Sequence, residues 1–336
     1  METKKQKKKS VPELVPYMLE VVAQLSVDVK LPAVHTYTST LHSFLKFMGG
    51  KGAPLLLTEV FTRGRLKEYE QWLMALSRKL PTVSTYMRTL RAVYNRWMPP
   101  GSREYDSTLF DDVYTKVEPQ TKRALEQEEI TELLDTDLGT LSQEQQLILA
   151  VFLLMFQLRG MPFIDLAHLR KTDVQNGRIV YRRHKTGKQI VVQIPKEAAR
   201  LIREYASRDG TSIYLFPILN TEMGGEKLRY SHYCKALRSF NRSLAKLMRR
   251  LLPGTKVSSY TARHTWATLA YYNNMPVAYI SQSLGHSSIR VTETYLKPLK
   301  DEVIDKENER LLRTIRKAKR KKVKEKSSVM HCVTQN

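Results

Sequence analysis

The chain has 336 residues, 42% of them hydrophobic, and carries 56 Lys and Arg against 33 Asp and Glu, a formal net charge of +23. Such a length gives two domains or one large one, and such an excess of cations favours a polyanionic partner, nucleic acid first. Composition counts against several other classes. Cys234 and Cys332 have neither zinc-ligand spacing nor a disulfide framework, which fits a reducing cytosol. The longest apolar run, residues 147–156, is far too short to span a bilayer. The first ten residues hold five lysines but are followed by no apolar segment, so no signal peptide is expected. No internal repeat, phosphate-binding glycine loop or HExxH pair is present.

In chain order, residues 1–10 form a lysine-rich arm that reads as a solvated tail, with phosphate contact as the second reading. Residues 11–98 read as a bundle of short amphipathic helices. Val34, Tyr37, Leu41, Phe44, Leu45 and Met48 recur at helical spacing, and Gly49-Gly50 stops that helix. A later helix, with Thr82 as its expected N-cap, carries Val83, Tyr86, Leu90, Val93, Tyr94 and Trp97 on one face. Ser84, Arg88, Arg91 and Asn95 share another face, read as DNA-contacting in so basic a chain. Residues 99–123, opened by Pro99-Pro100-Gly101-Ser102, lack a sustained period and are expected to be a linker.

Beyond it, a helix is expected near residues 125–134. A longer one, capped by Ser142, should end at Arg159-Gly160. A short helix follows over residues 163–169, then a β-hairpin whose arms, 178–184 and 189–194, flank Lys185-Thr186-Gly187-Lys188. A helix over 196–207, the apolar stretch 213–218 and a basic helix over 228–251 complete this part. After residue 298, Val303, Ile304, Leu311, Leu312 and Ile315 predict a helix with a narrow apolar face. The next stretch, residues 313–326, holds nine cations and reads as a frayed, charged end.

The chemistry concentrates in residues 258–297. Arg263 can grip a phosphate in a bidentate fork and His286 can donate to its oxygens. Tyr295 is a usable nucleophile if neighbouring cations position it. A lysine on the hairpin tip can protonate a leaving 5′ oxygen. Each residue alone is more often structural; the three groups of this short module, Arg263, His286 and Tyr295, point together to phosphodiester chemistry.

Arg263-His264-Thr265-Trp266-Ala267-Thr268, then Leu284-Gly285-His286-Ser287-Ser288 with His286 23 residues beyond Arg263, then Tyr295 nine beyond His286, resemble the C-terminal box of tyrosine recombinases, the phage-integrase family. The resemblance covers nearly the whole chain. Residues 260–264, 160–165 and 181–187 look most like integrases of Bacteroides-type mobile elements and DNA invertases. It implies a mainly α fold with a small antiparallel β-sheet or hairpin (α+β). The domains implied are a helical, SAM-like core-binding domain over 11–98, a catalytic domain over 124–297, and a C-terminal helix and basic tail over 298–336.

The resemblance also implies site-specific DNA recombination: Tyr295 as nucleophile forming a 3′-phosphotyrosine, Arg263 and His286 on the scissile phosphate, and Lys185 as general acid. Tyr260 stands where a histidine is usual. Pro162 stands where the first arginine is usual, so Arg159 is the expected substitute, with Arg170 and Arg183 as fallbacks. Asp165 matches an acidic position that supports the active-site arginine. No cofactor, metal or ATP is implied. The implied partners are double-stranded recombination sites, a homo-tetramer joined through the C-terminal helix, and an accessory DNA-bending protein, with no membrane. The implied setting is the bacterial cytoplasm, at the nucleoid. A catalytically impaired DNA-binding protein and a type IB topoisomerase are the alternatives.

Overall fold

The computed structural model describes residues 11–28, 30–50, 54–117, 124–219, 224–294, 296, 298 and 301–333, with side chains described as far as residue 317. The lysine-rich arm over 1–10 and Tyr295 lie outside the described residues. The chain divides into two compact units, residues 1–120 with 225–230 and residues 121–224 with 231–336. The fold is mainly helical with one small antiparallel sheet. Among the described residues no helix is long and apolar enough to cross a membrane.

The first unit is built from α1 (Leu14–Val27), α2 (Leu31–Phe47), the single turn α3 (Leu57–Val60), α4 (Arg63–Ala75) and α5 (Leu80–Trp97). Pro32 sits in the first turn of α2, where its missing N–H costs nothing. Left-handed Gly49 and Gly50 end that helix, the Gly50 N–H reaching the Leu45 carbonyl at 2.9 Å. The predicted apolar stripes meet in one core containing Leu41, Phe44, Tyr69, Leu73, Val83, Met87, Leu90 and Val93. Phe44 and Tyr69 pack edge to face with centroids 4.9 Å apart, and the Tyr69 hydroxyl donates to Ser43 Oγ at 2.8 Å.

Three local expectations change here. Helix α5 starts at Leu80, so Thr82 lies inside it and does not cap it; Pro81 occupies the first turn. Ser84 is buried, because position 84 lies at the edge of the core stripe, about 60° beyond position 87 on the wheel at about 100° per residue. The solvent face keeps Arg88 and Arg91, with Asn95 half-buried. Residues 99–114 pack into this unit and are not free linker: Leu109, Phe110 and Val113 join its core. The Tyr94 hydroxyl accepts the Asp106 N–H at 2.8 Å, and Lys67 donates to the Asp112 carbonyl at 2.8 Å.

In the second unit, α6 (Gln127–Leu134) is followed by α7 (Gln143–Gln157), whose N-terminus carries a reciprocal capping box between Ser142 and Gln145. Residues 149–155 of α7 are all buried, as expected of a helix that is apolar on every side. It packs against α9 (Lys196–Tyr205) and α11 (Ser259–Tyr272). The buried Leu125 N–H donates to Thr265 Oγ1 of α11 at 2.9 Å. Short α8 (Phe163–His168) leads to the sheet β1–β2–β3, formed by Val174–Gln175, Arg178–Arg182 and Gln189–Gln193, with Ile179 opposite Val192 and Tyr181 opposite Ile190. Strand β1 was not expected; two residues are too few to show a period. The apolar stretch 213–218 forms no strand, only an isolated bridge between Tyr214 and Arg170.

Helices α10 (Glu226–Leu251), α12 (Val277–Leu284), α13 (Ile289–Glu293) and α14 (Asp301–Val333) complete the fold. Helix α14 is longer than its apolar stripe predicts and continues through the basic run. Its first turns lie against the α11–α12 corner. The Asn274 amide donates to Glu307 Oε1 at 3.3 Å, and Tyr271, Met275, Val277 and Val303 line an adjoining cavity. Ile304, Leu311 and Ile315 remain exposed.

Candidate active site

The site is assembled around α11. Its first turn is fixed twice: the Ser258 N–H donates to Thr261 Oγ1 at 3.0 Å, and the Ser259 N–H to Asn241 Oδ1 of α10 at 2.7 Å. One turn on, Arg263 is only 2% exposed. Its Nη1 donates to the Gly160 carbonyl at 2.8 Å and its Nη2 to the Leu284 carbonyl at 2.7 Å. Gly160 is left-handed, and a Cβ there would lie 3.1 Å from the Arg263 Cα, so both its conformation and the close approach require glycine.

His286 follows the left-handed cap Gly285 that ends α12. Its Nε2 lies 3.0 Å from Arg263 Nη2 and its Nδ1 2.8 Å from Thr292 Oγ1 on α13. Burial, reinforced by Arg263, Arg183 and Lys185, pushes the imidazole down to about 3, so the ring is neutral near pH 7.

The hairpin supplies the next cation. Side chains alternate along β2, with Ile179 and Tyr181 buried, and the same period turns Arg183 inward. Arg183 Nη1 donates to the Gly285 carbonyl at 3.0 Å, and its Nε stands 3.6 Å from Asp165 Oδ2. Asp165 is itself buried in the first turn of α8 and accepts the His184 N–H on Oδ1 at 2.9 Å. Burial pushes its carboxyl up, while the His184 N–H, Arg183 and Arg263 pull it back. A Cβ on Gly285 would come within 2.8 Å of Ile190 Cδ1 and 3.0 Å of Arg183 Cδ, so this glycine also makes room for the arginine. Lys185 is exposed at the hairpin tip, where left-handed Gly187 turns the chain.

Arg263, His286, Asp165 and Arg183 therefore meet, with Lys185 close enough for its charge to act on His286. Arg159 takes another course. Its backbone is left-handed and its Nη1 reaches the Val191 carbonyl on β3 at 3.5 Å; it is not among the cations that act on His286. Arg170 is exposed at the start of a 3₁₀ turn. Pro162 precedes α8 as its N-cap, the position from which Asp165 is delivered. Tyr260 is 46% exposed, one turn before Arg263, with its ring 5.4 Å from that of His264. Two buried residues at the site go beyond the first expectations. Arg183, only a fallback in the sequence, was legible in the strand alternation, and Thr292 carried no sequence signal. Among the described residues no group of three or more His, Cys, Asp and Glu is placed to hold a metal.

Two guanidinium groups and an imidazole gathered in one buried cluster have the chemistry to receive a phosphate, and a lysine on the neighbouring hairpin tip can supply a proton. The model of the phage integrase family matches residues 123–302. The chain is 29% identical to tyrosine recombinase XerA of Thermococcus kodakarensis over 185 residues, which is 54% of this chain and 60% of that relative's length. It is 23% identical to tyrosine recombinase XerC of Rickettsia bellii over 266 residues, covering 78% of this chain and 85% of the relative. A lambda integrase dimer bound to a COC′ core site shares the fold with a TM-score of 0.62 at 14% identity, over 84% of this chain and 95% of that one.

Proposed function

The chain belongs to the phage integrase family, and from that premise we propose that it is a site-specific DNA recombinase that cuts and rejoins strands through a 3′-phosphotyrosine. The observation that carries this reading is the buried cluster of Arg263, Arg183 and His286 beside the hairpin that presents Lys185. In this mechanism Tyr295 attacks the phosphorus, its oxygen forms the new P–O bond, and the bond to the 5′ oxygen breaks. Lys185 protonates that oxygen as it leaves. Arg263 and Arg183 hold the equatorial phosphate oxygens, whose charge grows in the transition state. Arg183 takes the part expected of Arg159, because it pairs with Asp165 and acts on His286. Tyr260, one turn before Arg263 on α11, contributes a hydroxyl at the rim. The freed 5′ hydroxyl of a partner strand then attacks the ester, so the bond energy is conserved. That two guanidiniums join the buried cluster despite Pro162 weighs against the impaired-protein alternative.

The partner is duplex DNA carrying recombination sites, contacted by the first unit through Arg88 and Arg91. The exposed stripe Ile304, Leu311 and Ile315 supports a tetramer joined through α14. An accessory DNA-bending protein, and a place in the cytoplasm at the nucleoid, complete the proposal. The test uses a nicked suicide duplex bearing the chain's own site. Wild type should give a covalent protein–DNA adduct on a denaturing gel, and Tyr295→Phe none. No adduct from wild type would end the recombinase reading.

A further inference from the structure

His286 has two ring nitrogens, and a neutral imidazole carries a proton on only one of them. A guanidinium can only donate. Arg263 Nη2, 3.0 Å away, therefore requires Nε2 to be the accepting nitrogen. The proton must then sit on Nδ1, where Thr292 Oγ1 at 2.8 Å is in place to accept it. Thr292 is fully buried on α13, three residues before Tyr295.

We propose that Thr292 is the positioning residue of His286: by accepting the Nδ1 proton it supports the tautomer that Arg263 requires and fixes the ring orientation, so that Nε2 is the nitrogen turned to Arg263 and to an incoming phosphate. The inference rests on the recombinase reading only for the use to which that nitrogen is put. The lone pair at Nε2 accepts the Arg263 N–H, so a second proton can enter the ring only there, and only as Arg263 turns that N–H elsewhere. A phosphate arriving at Arg263 brings negative charge next to the imidazole and opposes the burial and the cations that keep it neutral. Once Arg263 turns that N–H to the phosphate, Nε2 can take a proton and donate to the same phosphate, with Nδ1–H still held by Thr292. Outer partners of this kind orient an imidazole and set which nitrogen is used.

Two measurements test this. Nitrogen-15 shifts of His286 in the wild-type chain without DNA should show the Nδ1–H tautomer; an Nε2–H tautomer overturns the proposal, and this needs no variant. Thr292→Val keeps the shape and removes the acceptor. It should slow adduct formation on the suicide duplex by roughly ten- to a hundredfold, with duplex affinity little changed, and shift the Nδ1–H resonance by removing its acceptor, the proton itself staying on Nδ1 because Arg263 still donates to Nε2. Thr292→Ser should restore both. A Thr292→Val protein that binds DNA and cleaves at the wild-type rate overturns the proposal. Loss of the adduct in wild type would sink the recombinase reading, while the tautomer measurement would still decide the role of Thr292.

Discussion

Helices α5 and α11 treat their charges in opposite ways. In α5 the apolar residues Val83, Met87, Leu90 and Val93 are fully buried, and Arg88 and Arg91 stay in water. In α11 Arg263 is buried to 2% exposure while Tyr260, an apolar ring with a polar tip, is 46% exposed. The first arrangement is what burial of apolar area favours. The second costs desolvation of a charge and is sustained by two carbonyls, an imidazole and a nearby carboxylate. Contact and fold are therefore separable in the first unit and coupled in the second.

The largest expected effect breaks the coupled side. Arg263→Ala leaves the Gly160 and Leu284 carbonyls without their donor in a buried site. It should destabilise the chain by about 2–4 kcal/mol in denaturant titration and lower cleavage by about 10³-fold. Next, Arg183→Ala should cost cleavage roughly 10²–10³-fold, and Arg159→Ala far less. Single-turnover adduct assays on both variants check this, and the reverse order would return Arg159 to the site.

A pH titration sharpens the comparison. His286 is pushed down to about 3 by burial first, then Arg263, Arg183 and Lys185, whereas an unfolded histidine titrates near ~6.5. The unfolded state then binds more protons between those values, so stability falls as pH drops from ~6.5 toward 3. Thermal melts of wild type should show this loss, and His286→Asn should reduce it. The smallest effect belongs to the separable side. Arg88→Ala with Arg91→Ala should leave stability within about 0.5 kcal/mol. It should flatten the salt dependence of DNA binding by about 0.9 for each phosphate no longer neutralised, measured by titration at several ionic strengths.

Elements with a local rule were legible in the sequence. The Ser142 cap, the Gly49-Gly50 stop and the period-2 arms of the hairpin each follow from neighbours in the chain, and the candidates Arg263 and His286 from their spacing. What was not legible depends on distant partners. The burial of Leu109, Phe110 and Val113 rests on a core built by helices far back in the sequence, so residues 99–114 look like linker. Ser84 sits at the edge of a stripe, where a wheel cannot say which side the core reaches. Arg183 obeys the alternation of β2, but the family pattern points instead to the neighbourhood of Gly160, where Pro162 displaces the usual arginine. The neutrality of His286 is a property of its burial and charged surroundings, which no single stretch contains.

Arg183 and Lys185 lie two positions apart on one hairpin, the first buried against the Gly285 carbonyl and the second exposed at the tip. In the proposed mechanism this wiring would make them a double-pole switch. Lifting that one loop would disconnect a phosphate clamp and the proton donor in a single stroke, and seating it would restore both circuits together.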